Sequence, residues 1–106
     1  MRLNIQFREI ENLLIGYIEG EIDINTAPIL KDEFELIVLS DGMKIELDLS
    51  KVAYMDSSGL GVIVAFYKKV IREKVDLKLL LSERMMRIFK ITGLCEFMDI
   101  EKKRSN

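Results

Sequence analysis

The chain has no histidine, and only one cysteine among its 106 residues. Without an imidazole there is no Ser–His or Cys–His nucleophile pair and no histidine ligand for a metal. A lone thiol, Cys95, forms no internal disulfide, and a structural zinc set is excluded with it. Cys95 sits in Ile91-Thr92-Gly93-Leu94-Cys95-Glu96-Phe97, and its apolar neighbours make it read as a small buried hydrophobe. An excess of charge of one sign is also missing. Sixteen basic and eighteen acidic residues leave a net charge of −2, so there is no basic stripe of the kind that holds nucleic acid. No apolar run reaches the roughly 18 residues that span a bilayer. The N-terminus alternates polar and apolar residues and lacks a signal-peptide core. A cytoplasmic protein, free of nucleic acid and membrane and a monomer when unbound, is expected.

What is present is a globular pattern. Hydrophobic residues make up 49% of the chain, and 106 residues suffice for one domain with one core. Leu3 to Ile10 alternates as a half-buried strand. Leu13 to Glu19 returns from a turn at Glu11-Asn12, which makes a hairpin. Thr26 is placed to cap a helix with Pro28 in its first turn. That helix carries Leu30, Phe34, Ile37 and Val38 and stops at Ser40-Asp41-Gly42. Lys44 to Leu49 alternates cleanly, so helices are expected to cover mainly one face of the sheet. A second helix runs Gly59 to Glu73 with Leu60, Val64, Tyr67 and Ile71 at helical spacing. Leu77 to Leu81 is a short strand. Ser82 caps a third helix, Glu83 to Ile91, whose apolar face carries Met86 and Phe89, with Met85 as a further candidate, and Gly93 ends it. Phe97 to Ile100 reads as a last strand, and 101–106 as a polar, frayed tail. The order β-β-α-β-α-β-α-β predicts a single α/β domain over 1–106. Its sheet is mixed, because it starts with a hairpin.

The chemistry concentrates at Met55-Asp56-Ser57-Ser58-Gly59-Leu60-Gly61. A strand runs into a loop with two hydroxyls beside a carboxylate, and two glycines open a long helix. A serine hydroxyl is then exposed at a helix N-terminus, where N–H groups and the helix dipole favour negative charge. Ser57 has a plain alternative as a helix cap beside Asp56 and Ser58. Gly59 and Gly61 do not complete a dinucleotide fingerprint, since Val62-Ile63-Val64 follows, and no Walker A pattern exists. The glycines fit a tight turn and close packing of the helix on the sheet. Methionines are mostly core filler, but Met55 precedes the loop and is a candidate partner contact. Lys68, Lys69, Arg72 and Lys74 read as a solvated helix face, with an acidic partner as the alternative.

The chain resembles the anti-sigma factor antagonists of the STAS domain family. The resemblance is carried by Asp56-Ser57-Ser58-Gly59-Leu60-Gly61, by Gly20-Glu21-Ile22-Asp23 with Thr26-Ala27, by Phe66-Tyr67-Lys68-Lys69, and by Arg87-Ile88-Phe89 with Thr92-Gly93-Leu94. It extends in order over nearly the whole chain. It implies a STAS-like fold and a phosphorylated serine at Ser57 rather than Ser58. It implies recognition by the kinase or partner through Asp23, Met55, Asp56, Ser58 and Gly59. The implied partners are an anti-sigma factor that is also a serine kinase and a phosphatase acting on phosphorylated Ser57. The unphosphorylated form binds the anti-sigma factor and so frees a sigma factor. No catalytic residue, cofactor or metal is implied. Two rival readings stand beside this one. One is a structural STAS domain within a larger signalling or membrane-associated assembly. The other is a hydrolase built on Ser57 and Asp56, which lacks a general base.

Overall fold

A computed structural model describes residues 2–103. The hairpin forms from β1 (Leu3–Ile10) and β2 (Leu13–Ile22), and Glu11 takes a left-handed φ of 53° in its turn. Next come α1 (Ala27–Glu35), β3 (Lys44–Met55), α2 (Ser57–Arg72), β4 (Asp76–Leu81) and α3 (Glu83–Ile91). A 3-10 turn at Leu94–Glu96 leads into β5 (Asp99–Lys102). The sheet order is β1-β2-β3-β4-β5, with β1 antiparallel to β2 and all other neighbours parallel. This is the mixed α/β sheet that the sequence predicts.

The core lies on one face. Leu14 and Ile18 of β2, Ile45, Leu47 and Leu49 of β3, and Leu77, Leu79 and Leu81 of β4 are buried there. Leu30 and Phe34 of α1, Ile63, Phe66 and Val70 of α2, and Met85 and Phe89 of α3 complete it. Each such side chain contributes roughly 1.5–3 kcal/mol by leaving water. The alternate strand residues, among them Asn4, Tyr17, Glu46 and Lys78, form a polar face. That face explains why β3 alternates rather than reading as a continuous apolar run.

Several boundaries differ from the sequence reading, each for a tertiary reason. β3 continues past Leu49 to Met55, because β2 pairs with it as far as Ile22 opposite Met55, through two register shifts. The polar residues Ser50 and Lys51 hid that extension. α1 stops at Glu35, where Leu36 and Ile37 donate backward to Glu33 and Phe34 and tighten the last turn. Val38, expected on the apolar face, is 84% exposed. α2 is turned by one residue. Gly59, Ile63, Phe66 and Val70 face the core, while Leu60, Val64 and Tyr67 are half-buried and Ile71 is exposed. Apolar residues surround this helix on nearly every side, so periodicity alone did not fix its rotation. In α3 it is Met85 that is fully buried, with Met86 half-buried. Cys95 is also only half-buried. β5 occupies Asp99–Lys102 instead of Phe97–Ile100, so Glu101 and Lys102 belong to the sheet and not to a frayed tail. The remainder of that expected tail, 104–106, lies outside the described residues.

Candidate functional site

Parallel pairing of β2 and β3 builds the site. Ile22 is opposite Met55, and the Asp56 N–H donates to the Ile22 carbonyl at 3.1 Å. The next residues on the two strands, Asp23 and Asp56, therefore leave the same end of the sheet side by side.

Asp56 is the N-cap of α2. Its backbone is extended (φ −101°, ψ −173°), and its Oδ1 accepts from the Ser58 N–H at 2.9 Å and the Gly59 N–H at 3.3 Å. This satisfies two of the donors a helix start leaves free and places a carboxylate at the positive end of the dipole. Ser57 is thus the first residue of the helix rather than its cap. It is exposed, and among the described residues its side chain enters no hydrogen bond. Ser58, half-buried, turns toward the groove between α1 and α2.

Gly59 lies beneath the serines, fully packed. A β-carbon there would stand 2.5 Å from Ile22 Cγ2 and 3.0 Å from Met55 Cγ. Only glycine lets the first turn of α2 rest on the ends of β2 and β3. Gly59 therefore supports the serine turn from below as a buried residue. Met55, expected as an exposed partner contact, is 7% exposed. As the last residue of β3 it points inward and packs under Gly59. Gly61 differs from both. It is exposed, and a β-carbon there would meet nothing within 4 Å, so the packing role expected for it is absent.

Asp23 organises the neighbouring loop. Its Oδ1 accepts from the N–H groups of Asn25 (2.9 Å) and Thr26 (3.1 Å), an Asx-type turn. Its Oδ2 is paired with the Arg2 guanidinium, which also meets Glu21 at 3.2 Å. Thr26 does not cap α1 through its side chain. Its buried hydroxyl instead donates to the Glu21 carbonyl at 2.7 Å and accepts from the Asp23 N–H at 2.9 Å. Arg2 was not legible as a site residue, since only the hairpin brings the first strand to this loop.

Among the described residues neither serine hydroxyl is hydrogen-bonded, and of the two Ser57 is the exposed one, beside two engaged carboxylates. The Asp56 carboxylate points to backbone amides and not to the Ser57 oxygen, so the Ser57–Asp56 hydrolytic pair is not formed. Among the described residues no cluster of three or more His, Cys, Asp or Glu could hold a metal, and no described helix is long and apolar enough to cross a membrane.

A second polar cluster lies on the open face of the sheet. Asp48, buried in the middle of β3, accepts from the Ser50 hydroxyl at 2.6 Å and the Ser50 N–H at 3.0 Å, and pairs with the Lys103 ammonium. Burial pushes the Asp48 carboxyl up, but the bonds from Lys103 and Ser50 outweigh it and hold the group below its ordinary value. The hydrogen bond to Asp48 raises Lys103 in turn.

Comparison with known proteins places the chain in a family and agrees with the fold. The STAS domain model matches residues 4–106. The anti-sigma-B factor antagonist of Bacillus subtilis (strain 168) is 42% identical over 105 residues, covering 97% of this chain and 94% of the relative. The protein of the same name from Listeria monocytogenes is 38% identical over 103 residues, covering 95% and 90%. An anti-sigma factor antagonist from Mycobacterium paratuberculosis superposes with a TM-score of 0.83 at 24% identity, covering 92% of this chain and 84% of that one. The phosphorylated form of the Bacillus cell fate determinant SpoIIAA superposes with a TM-score of 0.72 at 17% identity, covering 96% and 93%. At those identities the two structures speak for the fold alone.

Proposed function

This chain belongs to the STAS domain family, and we propose that it works as a binding module switched by phosphorylation of Ser57. Its role is that of an anti-sigma factor antagonist, the name its relatives carry at nearly equal length. The observation that carries the switch is the pairing of an exposed, unbonded Ser57 with a helix turn fixed by the Asp56 cap and the Gly59 contact. Such a hydroxyl can enter another protein's active site without any movement of the domain.

In this reading the unphosphorylated protein binds an anti-sigma factor that is also a serine kinase, and a sigma factor is freed. The kinase supplies ATP and a base. The Ser57 oxygen bonds to the γ-phosphorus as the bond to ADP breaks, and the hydroxyl proton passes to that base. A phosphatase hydrolyses the ester and resets the cycle. Asp23 and Asp56 position the loop and the turn that present Ser57. The chain is the substrate of these reactions and contributes no catalytic group to them.

Phosphorylation adds about −1.5 to −2 charges. The Ser58 and Gly59 amides already serve Asp56, so the phosphate meets a neighbouring carboxylate rather than a vacant helix end. The domain keeps its fold, and the charge acts outward on the bound partner through desolvation and like-charge contact. A loss of roughly 100-fold in affinity corresponds to about 2.7 kcal/mol, within the range of such contacts. Calorimetry with the anti-sigma factor of the source organism tests this. Ser57→Ala should bind constitutively, and both Ser57→Asp and the phosphoprotein weakly. Equal affinities would sink the switch.

A further inference from the structure

We propose that the groove between α1 and α2 receives an acidic, amphipathic segment of the anti-sigma factor, an inference that rests on the function proposed above. The groove has a volume of about 360 Å³. Phe34 and Val62 line its apolar part, and Phe34 stacks on Phe66 with ring centroids 4.2 Å apart. Ser58 closes its upper end, one residue from the proposed phosphorylation site. Lys31 of α1 and Lys69 of α2 stand on opposite walls. Among the described residues neither lysine forms an ion pair. Glu35 is the single acidic residue of the lining. An apolar channel flanked by two unpaired ammonium groups suits a segment with an apolar face and carboxylates beside it.

Gly61 and Ala65 point the same way. They line the groove one helical turn apart, and both are exposed. Glycine inside a helix is about 1 kcal/mol worse than alanine, and the fold gains nothing at Gly61, where a β-carbon would meet no atom within 4 Å. A low ridge there admits close approach from outside. Gly61 and Ala65 form the ridge between this groove and a neighbouring one, to which Lys68 belongs with Ser57, Leu60, Val64 and Leu94.

The charge logic links the groove to the switch. An acidic segment held by Lys31 and Lys69 ends beside Ser58, so phosphate on Ser57 sets like charge against it. The attraction and the release then have one electrostatic origin.

The test measures affinity for the anti-sigma factor of the source organism by calorimetry, on the full chain, across a salt series. The double substitution Lys31→Glu with Lys69→Glu should weaken binding about tenfold or more and flatten its salt dependence. The single substitutions Lys69→Glu and Lys68→Glu carry the same charge change on the two sides of the helix, and only Lys69→Glu should weaken binding clearly, while Lys68→Glu should stay within about threefold of wild type. Ala65→Arg adds positive charge but fills the groove, so it should also lose about tenfold, by exclusion. Unchanged thermal melts verify that each variant is folded. Equal losses for Lys68→Glu and Lys69→Glu would replace the groove by diffuse attraction and overturn the proposal. So would unimpaired binding by Ala65→Arg. In both cases wild-type binding leaves the function proposed above standing, whereas no binding by the wild type overturns both.

Discussion

Gly59 and Ile22 approach so closely that a β-carbon on residue 59 would lie 2.5 Å from Ile22 Cγ2. The end of β2 and the start of α2 are therefore in direct van der Waals contact, and the turn bearing Ser57 rests on the sheet. Gly59→Ala should destabilise the domain by about 1–3 kcal/mol, as overpacking does. Gly61→Ala, with open space around it, should stabilise it by about 0.5–1 kcal/mol through helix propensity. Urea denaturation of the two variants gives the answer, and shifts of the same sign would contradict the packing described.

Asp56→Ala should cost about 1 kcal/mol, since it removes the side-chain N-cap of α2. Asp56→Asn keeps a capping oxygen and removes the charge. It should make the phosphorylated protein about 0.3–1 kcal/mol more stable relative to its unphosphorylated form than in wild type. Thermal melts of both proteins, with and without phosphate, complete that comparison. No difference would mean that Asp56 and the phosphate do not interact.

Asp23→Ala should slow phosphorylation of Ser57 and also loosen its own loop, because two amide bonds and the Arg2 pair are lost together. A polar loop read from sequence predicts an intact fold, with a cost within about 1 kcal/mol. The bonds seen here put the loss at or somewhat above that limit. Asp23→Asn retains an acceptor for Asn25 and Thr26 and loses only charge. A phosphorylation time course beside a melt separates the effects. Normal kinetics in both variants would remove Asp23 from the site.

The Asp48–Lys103 pair predicts pH dependence at both extremes. The Asp48 carboxyl lies below its ordinary 3.8 in the folded state. Its stabilisation is complete above that value and is lost as pH falls through the folded value. Lys103 lies above its ordinary 10.5, so its contribution is complete below 10.5 and is lost as pH rises through the folded value. Because the Lys103 side chain is 44% exposed, water screens the pair, and the alkaline loss should be the smaller. Urea midpoints across pH for wild type and Asp48→Asn check this. The variant should show a flatter acid limb, and an unchanged one would assign the acid sensitivity to other groups.

The sequence by itself determined much of this protein. Alternation in Leu3–Ile10 and Lys44–Leu49 is a local property, because neighbouring side chains must face opposite sides of a strand. It yielded the hairpin, the one-sided layering and the element order. Ser57 was legible for the same reason, since a strand end, two hydroxyls and a glycine-opened helix are contiguous in the chain. Tertiary structure decided what depends on partners far away in sequence. The rotation of α2 was settled by which stripe the sheet could bury, and Gly59 won because it alone fits against Ile22. Met55 turned inward because β3 runs on beside β2 to Ile22. Arg2 joined Asp23 across the β1–β2 pair, and Lys103 reached Asp48 past the intervening β4, only once the strands were fixed in register. A linear pattern specifies which residues prefer water or each other, but the geometry of packing specifies which of them meet.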